Sequence, residues 1–450
     1  VVLLGRCFTG QKSACGFAWW FGWPDNSAEH VAVIIRKAQP SDSTDRANPA
    51  THADMSILTR NPPVAGLSPA PSRSILPWWS GFSLSLVLPV SALIFLTTGP
   101  HAGFTALIWI LPVLLMVVAD RWGPSESRPV PHAAPRAFFD GLLCCLFLLQ
   151  VANVLAMGWM VSRLPWTGGE TLATSLLNLV VLRILCGTNA CCSVIAPAHE
   201  LIHRRSRWQR RIGRLMLMSV FYDHFFVSHR LGHHAQLGTA GDPSSCSVDE
   251  GYRAFFWRSL GGQWRIAWRS QPRTLLIGLG VELVLIGLYL MAFGGLALFA
   301  WIYVSWVAVR LLEAVNYFQH FGLTSDSDRS GEMAWHCNSA VSLFMFLGLT
   351  RHADHHRRPG VAFTELNEVA SGLQLPFGYL VMAIWVKNAS GSFRRWAINE
   401  MSRKAEAVRP CTEVTKAEAL RSRGLLVHAQ AAVGLSGQPG AGNRCQPEQP

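Results

Sequence analysis

Six long apolar stretches constrain the fold of this 450-residue chain more than any other feature of its sequence. Each is close to the roughly 20 residues that a helix needs to cross the hydrocarbon core of a bilayer. A soluble domain carries about a quarter charged residues, whereas only 15% of this chain is charged. The sequence therefore predicts an all-α integral-membrane protein with about six transmembrane helices, near residues 78–97, 103–119, 138–160, 172–195, 274–293 and 295–315.

The composition outside these stretches divides the chain into three parts. Residues 40–75 are rich in Pro, Ser, Ala and Thr, and the first methionine is Met55. We therefore expect residues 1–75 to be a disordered segment or an over-extended start. Residues 76–390 form the predicted membrane domain. The polar residues 391–450 end in a stretch rich in Gly, Ala, Gln and Pro, so we expect a disordered tail.

The formal net charge of +12 is explained by arginines in two of the predicted loops. One of these loops comes after the second helix and the other after the fourth, whereas the short turn at residues 99–103 has no charge. Arginine-rich loops lie in the cytoplasm by the positive-inside rule, which places both termini there. No basic patch is interleaved with aromatic residues, so nucleic acid is not an expected partner. The arginines are Arg121, Arg128 and Arg136, then Arg204, Arg205, Arg207, Arg210, Arg211 and Arg214.

Nine of the 16 histidines fall in four short groups on the predicted cytoplasmic side of the membrane. Residues four apart on a helix share one face, so His199 and His203 are predicted to point the same way, as are His229 and His233. The hairpin of the fifth and sixth helices returns the chain to the same side, so all four groups are expected to converge. The nine are His199 and His203, then His229, His233 and His234, then His320, and finally His352, His355 and His356.

A cluster of this size indicates bound metal rather than ordinary core histidines. Protonated rings would repel one another, and neutral rings would each need a partner, whereas a metal ion removes both problems. One zinc ion takes four ligands, so two metals with four or five nitrogens each fit the count better. Imidazole binds iron, copper and zinc alike, and a redox metal such as iron best explains so many ligands.

The four groups, in this order, resemble those of the membrane alkane 1-monooxygenases within the fatty-acid desaturase/hydroxylase superfamily. The matching segments are residues 199–203, 228–234, 316–322 and 351–356. Smaller matches are Gly-Asp-Pro-Ser-Ser at 241–245, Leu-Glu-Ala-Val at 312–315 and Leu-Pro-Phe-Gly-Tyr at 375–379. The sequence departs from the family where Ser228 and Gln319 replace glutamates, where Thr350 replaces a glutamine, and at Arg-Arg-Pro-Gly in 357–360.

The resemblance implies a diiron enzyme that uses O₂ to hydroxylate a lipophilic alkyl substrate to an alcohol. The nine clustered histidines are the implied iron ligands, and the site is expected on the cytoplasmic side of a bacterial inner membrane. A rubredoxin or ferredoxin with its reductase is the implied electron donor, and no Cys-x-x-Cys of a fused redox module occurs in these 450 residues. Carboxylates predicted to fix imidazole tautomers are Glu200, Asp223, Glu313 and Asp354.

Four other functions stay open at the level of sequence. Within the superfamily the alternatives are a fatty-acid desaturase and a hydroxylase of aromatic methyl groups, as in xylene oxidation. The His-Glu-x-x-His pattern at 199–203 also fits a membrane zinc metalloprotease with Glu200 as base, although seven clustered histidines would then have no role. A metal transporter or sensor would need histidines distributed across the membrane.

Overall fold

The computed structural model describes residues 78–128, 135–324, 333–369 and 372–433, with side chains up to residue 406. The expectation for residues 1–75 lies outside these ranges. Within them, regular structure is helical, apart from isolated β-bridges. The helices are α1 (Trp78–Thr98), α2 (Gly103–Trp122), α3 (Arg136–Ser162), α4 (Gly169–His203), α5 (Arg207–Met218), α6 (the consecutive pieces His224–Ser228, His229–His233 and His234–Gln236), α7 (Tyr252–Ser270), α8 (Pro272–Gln319), α9 (Ala340–Met345), α10 (His352–Arg357) and α11 (Tyr379–Val433).

Five of these helices, α1 to α4 and α8, are long and apolar enough to cross a membrane. Large apolar side chains on them are exposed, among them Phe104 (80%), Leu283 (67%) and Phe299 (66%). A continuous apolar surface of this kind is unfavourable in water but suits contact with lipid. The prediction of an all-α integral-membrane fold is therefore confirmed.

The predicted fifth and sixth transmembrane helices both lie in α8, which has 48 residues. Its helical geometry is interrupted at Gly294, where φ is 83° and ψ is 173°. The rings of Tyr289 and Trp301 lie 4.5 Å apart, although twelve residues of a straight helix would separate them by about 18 Å. The chain thus reverses at Gly294, and α8 contributes two antiparallel arms, which accounts for the six predicted stretches.

A buried carboxylate at the end of α2 connects three parts of the fold near the last histidine group. Asp120 is 4% exposed, and one of its oxygens accepts hydrogen bonds from the Ser339 and Ser342 hydroxyls at 2.6 Å each. The other oxygen accepts a hydrogen bond from the Leu380 backbone N–H at 2.9 Å. Burying a carboxylate is unfavourable unless it is hydrogen-bonded, so this network fixes α9 and the start of α11 against α2.

The prediction of a disordered tail beginning at residue 391 is wrong for the first part of that segment. Helix α11 changes direction at Ala389 and continues to Val433. Phe393 and Ala397 are fully buried, and the Phe393 ring lies 5.2 Å from that of Phe321. The composition was misleading because widely spaced apolar residues on one helical face are enough to hold this polar segment against the protein. Residues 434–450 lie outside the described part of the chain.

The backbone conformation at Gly294 is almost restricted to glycine, so we expect Gly294→Ala to lower the free energy of unfolding by about 1–3 kcal/mol. A Cβ added there meets nothing within 4 Å, so the effect would come from the backbone alone. Thermal unfolding of the detergent-solubilised protein measures it. Gly295→Ala is the matched control, because Gly295 also has open space around it but helical geometry. An equal loss in both variants would contradict the reversal at Gly294.

Candidate metal centre

The nine clustered histidines lie together at one end of the helical bundle, where they form two groups. Within each group, one ring nitrogen from every member lies within 4.8 Å of all the others. The end of α4, the turn of α6, the residue after α8, and α10 contribute the side chains. The five-histidine group is His199, His203, His229, His234 and His355, and the four-histidine group is His233, His320, His352 and His356.

The geometry of α6 corrects the predicted pairing of its histidines. Residues 229–233 form a π-helical turn, in which hydrogen bonds join residues five apart instead of four. His229 and His234 therefore point the same way, with their Nε2 atoms 3.0 Å apart, while His233 points into the four-histidine group. One wide turn thus lets a single helix supply both groups, which a regular i, i+4 spacing would not do.

The ring nitrogens of the five-histidine group lie at the separation expected around one ion. His229 Nε2 is 3.0 Å from the Nε2 atoms of both His203 and His234, and His355 Nε2 is 3.2 Å from that of His234. Two nitrogens at right angles around one metal, each at 2.0–2.1 Å, would be about 3 Å apart. A single N–H on His229 could not satisfy two neighbouring nitrogens, whereas a shared cation could.

The ring nitrogens of the four-histidine group are as close together as those of the five-histidine group. His356 Nε2 lies 2.9 Å from His352 Nε2 and 3.1 Å from His233 Nε2. The buried Nε2 atoms of His199, in the first group, and His320, in the second, have no hydrogen-bond partner among the described residues. Because an unsatisfied buried nitrogen is costly, these two orphaned atoms fit a centre in which a metal ion is their partner.

Burial favours the neutral form in six of these rings, and this is the form that ligates metal. Burial, with neighbouring imidazoles adding to it, lowers the pKa of His234 to about 2 and that of His320 to about 3. The pKa shifts are downward for the same reasons in four other members outside the membrane spans. These are His229, His352, His355 and His356.

Asp242 holds one of the rings in place, and it was not among the carboxylates predicted for this role. Its oxygens lie 2.9 and 3.0 Å from His233 Nδ1, and both side chains are buried. Burial raises the pKa of Asp242, but the His233 ring and a hydrogen bond from Ser245 contribute to lowering it to about 2. The carboxylate thus fixes the proton on Nδ1 and leaves Nε2 to face the group. Its position in the Gly-Asp-Pro-Ser-Ser segment was the available clue.

A backbone carbonyl orients His320 in a comparable way. The Nδ1 atom of His320 lies 3.0 Å from the carbonyl oxygen of Met333, which fixes the proton on Nδ1. Two residues further along the chain, the Trp335 backbone N–H donates a hydrogen bond to the Gln319 carbonyl oxygen at 2.8 Å. This bond holds the segment that carries Met333 beside the end of α8. Sequence reasoning could not find this partner, because any residue type offers a carbonyl.

The predicted role of the four other carboxylates is wrong, because none of their hydrogen bonds among the described residues goes to a clustered ring. Glu200 pairs with Arg204 at 2.7 Å, and Asp223 pairs with Arg214 at 2.7 Å. Each carboxylate forms an ion pair with an arginine that is close to it along the chain. A charge-assisted hydrogen bond to a guanidinium is stronger than one to a neutral imidazole.

Glu313 and Asp354 also have other partners. The Glu313 side chain is fully buried and accepts hydrogen bonds from the Tyr222 hydroxyl at 2.6 Å and from Gln263 Nε2 at 2.8 Å. Asp354 pairs with Arg358 and accepts the Asn367 backbone N–H at 2.7 Å. Both carboxylates therefore stabilise the scaffold behind the histidines rather than the rings themselves.

A small cavity borders the five-histidine group on the side of the membrane helices. It is lined by His199, Glu200 and His355 together with apolar side chains. Its position beside two clustered rings makes it suitable for an apolar group placed next to a bound metal. The apolar lining residues are Ala196, Phe346, Leu347, Leu349, Phe363 and Leu366.

The fold and this site together define an all-helical integral-membrane protein with a polyhistidine centre at one end of its bundle. The family model described as Fatty acid desaturase matches residues 174–385. That range contains all nine clustered histidines and the helices that present them. Over these residues the chain is similar to the fatty acid desaturase family.

Individual proteins that are similar to this chain include alkane 1-monooxygenases and a xylene/toluene monooxygenase component. Alkane 1-monooxygenase 1 of Alcanivorax borkumensis is 25% identical over 301 residues, which cover 62% of this chain and 72% of the relative. Alkane 1-monooxygenase 2 of Pseudomonas aeruginosa is 27% identical over 311 residues, or 63% and 80% of the two chains. The xylene/toluene monooxygenase hydroxylase component XylM of Pseudomonas putida is 26% identical over 198 residues, or 40% and 53%.

We expect Asp242→Asn to weaken metal binding by roughly 10- to 100-fold, because the amide no longer fixes the His233 tautomer by its charge. Metal affinity, measured by competition with a chelator, tests this expectation. Asp249→Asn serves as the control, because Asp249 is exposed in the same loop and contacts no clustered histidine among the described residues. Equal affinities of the wild type and Asp242→Asn would exclude the proposed anchoring role.

Proposed function

We propose that this protein is an O₂-dependent diiron monooxygenase that hydroxylates the terminal C–H bond of a lipophilic alkyl substrate to give an alcohol. The observation that supports this most directly is the division of nine clustered histidines into two groups of five and four. Two of the named relatives are alkane 1-monooxygenases, and each matches more than 60% of this chain. Iron is the proposed metal, with one ion held by each group.

Two bound irons would supply the activation of O₂ and the cleavage of the C–H bond. The protein's own contribution is to hold and shield them. Asp242 and the Met333 carbonyl keep the Nδ1 protons of His233 and His320 in place. The rings are packed so closely that little water can enter: His199, His229 and His352, for example, are at most 7% exposed. Exclusion of water protects the substrate's oxidation from side reactions.

The substrate is proposed to reach the centre from the bilayer side. Most residues that line the cavity beside His199 and His355 are apolar, and the Glu200 carboxylate in its wall is paired with Arg204, so a small hydrocarbon end can lie there. Ala196 lies three residues before His199 on α4 and leaves room for that end. The alkyl chain itself would extend away from the histidines between lipid-facing helices, as expected for a substrate that partitions into the membrane.

Electrons are proposed to arrive from a separate rubredoxin or ferredoxin on the opposite side of the centre. His203, His234 and His356 are the partly exposed members of the two groups, so the centre approaches the surface there. Exposed arginines around this edge would attract an acidic redox protein. They are Arg205, Arg230, Arg357 and Arg358. If the positive-inside rule holds for these loops, this face lies in the cytoplasm, at an inner membrane.

A zinc metalloprotease is disfavoured by the surroundings of the His-Glu-x-x-His segment. His199 and His203 share their group with three further histidines, which leaves no open position of the kind a catalytic zinc keeps for water. Glu200 is paired with Arg204 and does not act as a free base. Hydroxylation of an aromatic methyl group remains the second candidate, because XylM matches 40% of the chain.

Removing one histidine from either group should remove one metal ion and leave the other. We expect purified wild-type protein to contain about two irons per chain, and His320→Ala and His203→Ala each to contain about one, with alkane oxidation lost in both. Elemental analysis and product analysis on alkanes, fatty acids and alkylbenzenes are the measurements. His101→Gln, outside both groups, should keep both irons. Zinc without iron in the wild type would refute the diiron proposal, and an alkene product would indicate a desaturase.

Filling the apolar cavity should impair oxidation without removing metal. Ala196→Leu places a larger side chain against the proposed position of the substrate, and a displacement of about 1 Å can cost about 10²-fold in rate. Turnover should therefore fall strongly while the iron content stays unchanged. Val180→Leu is the control on the same helix, because Val180 is 44% exposed on the lipid-facing surface. Unchanged turnover and product pattern in Ala196→Leu would rule out this cavity as the binding site.

A further inference from the structure

A second concentration of charge lies away from the histidines, in a pocket of about 240 Å³ between α4, α8 and α11. Three cationic side chains, one from each helix, line it: Arg183, Arg310 and Lys387. Tyr303, Trp306, Val307 and Asn388 complete the wall. The pocket has no carboxylate in its lining, although it contains three cations.

These cations have no acidic partner in the described part of the chain. Among the ion pairs formed within 4.0 Å by described residues, none includes Arg183, Arg310 or Lys387. The polar contact of Arg183 is with the Tyr303 hydroxyl, 3.0 Å from its Nε. Burial, with Arg310 and Arg183 adding to it, lowers the pKa of the Lys387 ammonium to about 8. Like charges held together in this way repel unless an anion lies between them.

The pocket lies near one interface of the bilayer. Arg310 is 16 residues beyond the reversal at Gly294, about 24 Å along a helix, in a hydrocarbon core about 30 Å thick. It is therefore close to the face that bears the histidines. Tyr303 is 38% exposed and stacks on Phe299, which is 66% exposed, so the pocket adjoins the lipid-facing surface. Tyr and Trp are enriched at this depth of a membrane.

We propose that this pocket binds the phosphate group of an anionic phospholipid from the surrounding bilayer. Two guanidinium groups and an ammonium match the charge and the oxygens of a phosphodiester. Basic pockets between transmembrane helices are known to take lipid head groups. A volume of about 240 Å³ also has room for the glycerol unit beside the phosphate. The bound lipid joins α4, α8 and α11, and two of these helices lead directly to His199 and His320.

The first test uses full-length protein in detergent after removal of endogenous lipid. Added phosphatidylglycerol should raise the Tm of the wild type, and phosphatidylcholine should not. The rise should disappear in R183Q/R310Q/K387Q. R163Q is the matched control, because Arg163 is an exposed cation just beyond the end of α3 that contacts Trp159 rather than this pocket. It should respond like the wild type. An equal rise in the triple variant, or an equal rise with phosphatidylcholine, would overturn the proposal.

A second measurement does not depend on whether the triple variant folds. Native mass spectrometry of the wild type should detect one phosphatidylglycerol that survives detergent removal and is not displaced by excess inorganic phosphate or dodecanoate. Displacement by phosphate would show that a free anion is the ligand, and displacement by dodecanoate would indicate the carboxylate of a fatty acid. Either result would refute a lipid site. Both tests leave the proposed oxygenase function untouched, because neither measures iron or turnover.

Discussion

The convergence of nine imidazoles in a buried space is the constraint on which the rest of the structure depends. The Nε2 atom of His229 lies 3.0 Å from those of both His203 and His234, and one imidazole nitrogen offers either a single proton or a single lone pair, so it cannot pair fully with both. Without a cation these nitrogens would be left partly unsatisfied in a low-dielectric interior, where an unmade hydrogen bond is most costly. Bound metal would therefore couple to local folding at this end of the bundle.

The scaffold accordingly fixes each contributing element from outside the cluster. Asp120 joins α2 to the segments on either side of α10. Its carboxylate accepts hydrogen bonds from the Ser339 and Ser342 hydroxyls and from the Leu380 backbone N–H. Glu313 in α8 similarly joins that helix to Tyr222 and to Gln263 in α7, through hydrogen bonds that its carboxylate accepts. Carboxylates close to the histidines thus serve mainly as structural anchors, and among the described acidic residues Asp242 alone forms an ion pair with one of the nine clustered rings.

Long apolar stretches and regular histidine spacing were enough to predict the all-α membrane fold and the location of the histidines. The π-helical turn at 229–233 was beyond prediction, because the backbone there departs from the 3.6-residue repeat on which face assignments rest. Sequence reasoning also failed for Glu200 and Asp223, since proximity to a histidine along the chain says nothing about a competing arginine. The metal itself, its identity and the electron donor remain predictions.

The two groups differ in ways that suggest different roles within one centre. The cavity with its apolar lining borders His199 and His355, both in the five-histidine group, whereas the hydrogen bonds that fix tautomers go to His233 and His320 in the other. A ligand whose Nδ1 proton is held by a carboxylate is a stronger donor to its metal. The family's glutamate is replaced by Gln319 directly before His320, and its amide donates to Tyr379 and Leu349 O instead of adding a charge. In this chain, therefore, the negative charge beside the four-histidine group is supplied by Asp242.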